Sequence, residues 1–170
     1  MKDYPILFTT EMVQAIINGK KTQTRRIKKS DKFPYQLGTK LWVKETFLNN
    51  ALPGYDPVYY YRADSKDKPA DRKWKTPIFM PRSASRITLE VTGIRVEKLQ
   101  HLSIDDAVSE GIRFIEPAPG RIFSGYRDYS RKNFTTHNPI YSFLTLWESL
   151  YGFGSWAENP HVWVITFKKI

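Results

Sequence analysis

The chain has 170 residues, no cysteine, and 27 Lys plus Arg against 17 Asp plus Glu, a formal net charge of +10. Those figures exclude a disulfide framework, a cysteine nucleophile and a thiolate metal site, and the length suits one domain rather than two large ones. Aromatic residues, 15% of the chain, argue against disorder, and the positive charge favours an anionic partner, nucleic acid first.

No apolar run near the N-terminus is long enough for a signal peptide or a membrane span, so a soluble, cytoplasmic protein is expected, with no membrane partner. Tyr4–Phe8 reads as a first strand. Thr10 then looks like an N-cap, and Met12, Ala15 and Ile16 repeat at helical spacing, which predicts a helix over 11–18 stopped by Gly19. Lys20 to Lys32 is the densest basic stretch, an extended or turning loop. Lys40–Phe47 alternates as one half-buried strand. Pro53-Gly54 marks a turn, Val58–Tyr61 a strand, and Ser65–Lys75 an exposed polar loop.

Ile87, Leu89 and Val91 alternate with polar residues inside a strand over 85–96. Ser103 opens a short helix ending near Glu110, with Asp106 at the capping-box position and Gly111 as the stop. Residues 113–138, rich in Pro and Gly, read as a long loop. Phe143, Leu144, Trp147 and Leu150 share one face of a third helix, and His161–Phe167 forms a last strand. The expected fold is α+β: a largely antiparallel sheet curled into a barrel, about three helices, and a single domain over 1–170.

Common sites are missing from the sequence. There is no Walker A loop, no G-x-G-x-x-G and no G-x-S-x-G, and His101, His137 and His161 match no metal spacing. The sharpest feature is Gly19 to Arg26, where a helix-ending glycine is followed by ammonium, hydroxyl and guanidinium groups. Lys21 and Thr24, three apart, are able to face one pocket. A threonine hydroxyl needs a base, and a lysine is one only when burial or neighbouring cations such as Lys20, Arg25 and Arg26 lower its pKa. The same string also fits a solvated basic turn that contacts phosphate.

Gly19-Lys20-Lys21-Thr22-Gln23-Thr24-Arg25-Arg26 resembles the G-[RK]-K-T-x-T-x-R signature of the ASCH superfamily. Gly38–Val43, the strand Ile87–Thr92 and the closing Val164–Lys168 resemble further blocks of that superfamily in the same order. Leu41–Thr46 and Met80–Ile87 are similar to phrases of its larger phage and prophage members, which usually carry tryptophan where this chain has Ser83. The resemblance implies a PUA-like β-barrel, with insertions here near 48–82 and 113–138.

It also implies an activity, the removal of the acyl group from N4-acetylcytidine or a related modified nucleoside or nucleotide. Lysine, threonine and glutamate would carry the reaction, falling here on Lys21, Thr24 and Glu110, with no metal and no cofactor. Binding candidates are Arg26, Arg82 and Arg86 for phosphate or base edges, and Trp42 and Trp156 for stacking, with Lys20, Arg25 and Glu45 grouped beside them. A non-catalytic RNA-binding module and an ASCH-type ribonuclease are the competing expectations. A monomer is favoured.

Overall fold

A computed structural model describes residues 3–33, 35–50, 56–64, 73–117 and 124–170. The expected turn at Pro53-Gly54 and most of the expected polar loop at 65–75 lie outside them.

Five strands form the main sheet, in the order β1 (Tyr4–Leu7), β3 (Lys40–Lys44), β6 (Thr88–Lys98), β10 (His161–Lys169) and β2 (Gln23–Ile27). β1 and β3 are parallel and the other pairs antiparallel, so the sheet is mixed. β10 lies inside the sheet, between β6 and β2. Its run Val162 to Phe167 buries residues on both faces, which explains a stretch more continuously apolar than a one-sided strand allows.

The expected barrel is not formed. A barrel needs a closed ring of hydrogen-bonded strands, whereas β1 and β2 end the sheet as its two edges and do not pair. A side chain joins them instead: Arg26 Nη2 donates to the Leu7 carbonyl at 3.0 Å. The remaining strands build two small separate sheets. One pairs β4 (Phe47–Asn50) with β5 (Val58–Tyr61), and the other holds β7 (Phe114–Ile115), β8 (Gly125–Arg127) and β9 (Thr135–Thr136).

The strand read over 40–47 is therefore two strands in two sheets. Polar–apolar alternation does not register a change of partner, and here the Glu45 N–H leaves the ladder to donate to Met80 Sδ at 3.2 Å. The long loop at 113–138 likewise contains three short strands.

α1 (Thr10–Ile17) buries Met12, Val13, Ala15 and Ile16. Its N-cap is Thr9, one residue earlier than expected, with Oγ1 accepting from the Met12 N–H at 3.4 Å. α2 (Ile104–Ser109) is capped by Ser103. α3 (Pro139–Tyr151) starts two residues before the expected Tyr141, because Asn138 Oδ1 accepts the Ile140 N–H at 2.9 Å and Pro139 suits the first turn. Phe143, Leu146 and Trp147 of α3 join the same core as Leu41, Leu89, Val162 and the α1 face. Each fully buried side chain of this size contributes roughly 1.5–3 kcal/mol. No helix among the described residues is long and apolar enough to cross a membrane.

Candidate active site

Backbone geometry delivers Lys21 to the interior. Gly19 turns the chain at φ +70°, and the N–H groups of Lys20 and Lys21 then both donate to the Ala15 carbonyl, at 2.8 and 3.1 Å. Lys21 pairs with Glu110 as an isolated antiparallel bridge, and the Thr22 N–H donates to the Ser109 carbonyl at 3.0 Å. Gly111 makes the approach of α2 possible. It sits at φ +80°, and a Cβ there would meet Lys21 Cβ at 2.7 Å and Ala15 Cβ at 2.9 Å.

Lys21 Nζ donates to Glu110 Oε2 at 3.0 Å and to the Glu110 carbonyl at 2.6 Å. Both side chains are buried. A carboxylate at the C-terminal end of a helix opposes the helix dipole; here an ammonium and a guanidinium offset it, because Arg25 Nη1 donates to Glu110 Oε1 at 3.0 Å. Burial pushes the Lys21 pKa down, the Glu110 carboxylate works against that fall, and the Arg26 and Arg25 guanidiniums add to it.

Arg25 belongs to a larger ion network. Its Nη2 reaches Glu97 Oε1 at 2.5 Å and Asp106 Oδ2 at 2.9 Å, and Arg95 binds the same two carboxylates. Gln23 Nε2 adds a hydrogen bond to Asp106 Oδ1 at 3.1 Å. Burial works against charge on Asp106, but Gln23, Arg25 and Arg95 hold its carboxyl below the usual range. Asp106 thus completes only half of the expected capping box. Its N–H donates to Ser103 Oγ, while its carboxylate serves the arginines.

The segment expected as a loop is largely β2, with Gln23, Thr24 and Arg25 buried on it. Its pattern does not read as a strand because its buried side chains are polar: Arg25 makes ion pairs, and Gln23 and Thr24 make hydrogen bonds where an ordinary strand packs apolar groups. Thr24 Oγ1 accepts from Arg26 Nη1 at 2.7 Å.

Lys21, Thr24, Arg25, Arg26 and Glu110 line one cavity of about 720 Å³. The rest of the lining is largely apolar and aromatic, with Phe8, Phe143, Trp147 and Tyr151. The Trp147 and Tyr151 rings lie 4.2 Å apart, and the Phe8 ring sits 5.6 Å from Lys21 Nζ and 5.3 Å from the Arg26 guanidinium. A volume of this size suits a small-molecule ligand. The aromatic wall was not among the candidates, although the α3 spacing put Trp147 on a buried face and Phe8 closes the first apolar strand.

The other candidates do not line this cavity. Lys20 is exposed behind α1. Trp42 lies half-buried on β3 with Lys44 Nζ and the Arg82 guanidinium 5.5 and 5.7 Å from its ring, and Arg82 reaches Asp3 at 3.5 Å. Arg86 clamps the buried Glu45 carboxylate, at 2.9 and 3.1 Å, and its guanidinium lies 3.9 Å from the Tyr61 ring centroid. Trp156 packs edge-on against Phe143 at 6.3 Å, beside the core. Among the described residues no cluster of three or more His, Cys, Asp or Glu is arranged to hold a metal ion.

No protein-family model matches the chain, and no curated protein matches it. Two solved structures are similar at a distance. One is described as the hypothetical protein PH0355, with 13% identity, a TM-score of 0.47, and coverage of 99% of this chain and 100% of that one. The other is an ASCH domain from Lactobacillus crispatus JV V101, with 14% identity, a TM-score of 0.47, and coverage of 99% of this chain and 79% of that one.

Proposed function

We propose that the protein is an amidohydrolase that removes the acyl group from N4-acetylcytidine or a related modified cytidine. The observation that carries this reading is the buried Lys21–Glu110 pair, 3.0 Å between Nζ and Oε2, on the wall of a roomy cavity that the buried Thr24 also lines. The ASCH-like signature from Gly19 to Arg26 supports it.

Lys21, its basicity lowered by burial, takes the proton from the Thr24 hydroxyl. Arg26, already donating to that hydroxyl at 2.7 Å, stabilises the developing alkoxide. Thr24 Oγ1 attacks the acyl carbonyl carbon. The tetrahedral adduct then collapses, breaking the bond to N4, and the proton returns from Lys21 to the leaving amine with Glu110 as the relay. Water, deprotonated by the same lysine, attacks the Thr24 ester; Thr24 Oγ1 leaves, takes that proton back from Lys21, and the carboxylic acid is released. The aromatic wall stacks the pyrimidine.

The test is cytidine release from N4-acetylcytidine by the purified chain. Wild type turns over, and Lys21→Ala, Thr24→Ala and Glu110→Gln each lose roughly 100-fold or more in kcat/KM. No turnover by wild type, or full turnover by Lys21→Ala, removes the proposal.

The net charge of +10 favours a second reading, a nucleic-acid-binding module without catalysis. Lys21 and Arg25, however, are spent in buried ion pairs, so the basic segment offers phosphate fewer cations than its composition suggests. That reading requires RNA affinity that falls steeply with salt while no acylated cytidine is consumed.

A further inference from the structure

The open sheet has a consequence for ligand binding. A second cavity, about 350 Å³, takes its walls from both edge strands, β1 and β2, and from the segment after β2. Leu7 and Arg26 line this cavity and the larger one alike, so the two lie one side chain apart.

Arg26 Nη1 donates to Thr24 Oγ1 at 2.7 Å and to the Arg25 carbonyl at 3.0 Å, and Nη2 donates to the Leu7 carbonyl at 3.0 Å. A guanidinium has five N–H groups. The Nε–H and one Nη2–H therefore have no protein acceptor among the described residues.

Two further cations line the same cavity, Lys29 and Lys32, both exposed. Asp31 lies between them in sequence but is taken by Lys28, which leaves Lys29 and Lys32 without a carboxylate partner among the described residues. The wall beside them is aromatic. Phe33 and Trp163 lie 4.5 Å apart at 34°, and Tyr35 meets Phe33 edge-on at 5.0 Å.

We propose that this seam is a phosphate subsite. The substrate of the larger cavity is then a nucleotide: its acylated base enters beside Lys21 and Glu110, and its phosphate ester sits among Arg26, Lys29 and Lys32 against the Phe33–Trp163 wall. The inference rests on the amidohydrolase reading for the identity of the base. Three cations with no anion of their own match a phosphate dianion, and an adjoining aromatic wall reduces the solvent that screens them. A bare nucleoside leaves those cations unneutralised. A terminal phosphate and an internal phosphodiester share this chemistry.

Calorimetric titration of the full chain at low salt distinguishes them, with cytidine, cytidine 5′-monophosphate and a cytidine dinucleotide as probes. At least one phosphorylated probe binds about tenfold or more tightly than cytidine, from one or two charge-assisted contacts. Tighter monophosphate binding assigns a terminal phosphate, and tighter dinucleotide binding an internal one; both support the subsite. Substituting Lys29→Gln with Lys32→Gln brings the ratio of phosphorylated to plain probe close to one. Circular dichroism confirms folding of that surface variant.

Equal affinity for all three probes, or a ratio that survives the double substitution, overturns the subsite. Turnover of N4-acetylcytidine with no phosphate preference overturns the subsite alone. A phosphate preference with no turnover of any acylated probe removes the amidohydrolase reading and leaves the subsite standing.

Discussion

Arg25 and Glu110 form the joint that gives the proposed active site its shape. Arg25 Nη1 holds Glu110 Oε1 at 3.0 Å, which leaves Oε2 free to accept from Lys21 Nζ. The two cations divide one carboxylate between them. The arginine side faces Glu97 and Asp106, and the lysine side faces the cavity.

Arg25→Met tests the arginine side. It removes a fully buried cation and leaves three carboxylates without it. Breaking a buried pair in this way costs about 3–5 kcal/mol. Urea unfolding of the variant shows a loss of that order, and Arg25→Lys restores less than half, because one ammonium does not span three carboxylates. A loss under about 1 kcal/mol means that Arg95 and water replace the guanidinium almost fully.

Lys21 makes stability depend on pH in a specific direction. Its folded pKa lies below its ordinary value of 10.5. Between those two pH values the unfolded chain holds a proton that the native chain has lost, so stability rises with pH. Unfolding free energies of wild type and a Lys21→Met/Glu110→Gln variant, measured from pH 7 to 10.5, show wild type gaining on the variant as pH increases. A falling difference instead means that the Glu110 charge outweighs burial and keeps the ammonium protonated.

The elements with strong periodicity were legible in the sequence. Tyr4–Leu7, the α1 face and His161–Lys169 announce themselves through apolar spacing; α3 does so in part, because Phe143 and Trp147 of the expected face are buried while Leu150 is exposed and the buried Leu146 falls outside it. The Lys21–Glu110 contact joins two residues that the resemblance points to separately, Lys21 in the Gly19–Arg26 string and Glu110 in the later Ala107–Gly111 segment. β2 was not, because Gln23 and Arg25 are buried polar residues satisfied by partners far away in sequence, Glu97, Asp106 and Glu110. Sheet closure was not legible either. Whether two edge strands pair depends on their separation in space, and the strand patterns of β1 and β2 look the same in an open sheet and in a barrel.

Gly111→Ala separates backbone strain from chemistry. The residue sits at φ +80°, and the new methyl group would overlap Lys21 Cβ and Ala15 Cβ. A left-handed alanine and a forced shift together cost about 2–4 kcal/mol. The thermal midpoint falls accordingly, and kcat/KM for the acylated substrate drops with it, because α2 has to move away from Lys21. An unchanged midpoint shows that this end of α2 yields freely.

Trp147 offers a contrast between two substitutions. The side chain is buried and its indole Nε1–H has no acceptor among the described residues. Trp147→Ala opens a cavity and costs about 3–5 kcal/mol. Trp147→Phe keeps most of the ring and removes an unsatisfied donor, so its cost stays below about 1.5 kcal/mol. Two similar losses in denaturant titration mean that the indole nitrogen has a water partner that phenylalanine cannot replace.

Glu45 and Arg86 supply the last test, away from the cavity. Burial raises the Glu45 pKa above its ordinary 4.5, and the Arg86 guanidinium opposes that rise without cancelling it. Between 4.5 and the folded value the native chain keeps a proton that the unfolded chain has lost, so this group makes stability fall as pH rises. Glu45→Gln lacks that titration. Its stability therefore gains on wild type as pH is raised through the window above 4.5, in unfolding curves taken at closely spaced pH values. If wild type gains on the variant instead, the two Arg86 contacts at 2.9 and 3.1 Å outweigh the burial of the carboxylate, and the pair is a net stabilising clamp between β4's entry and the Tyr61 ring.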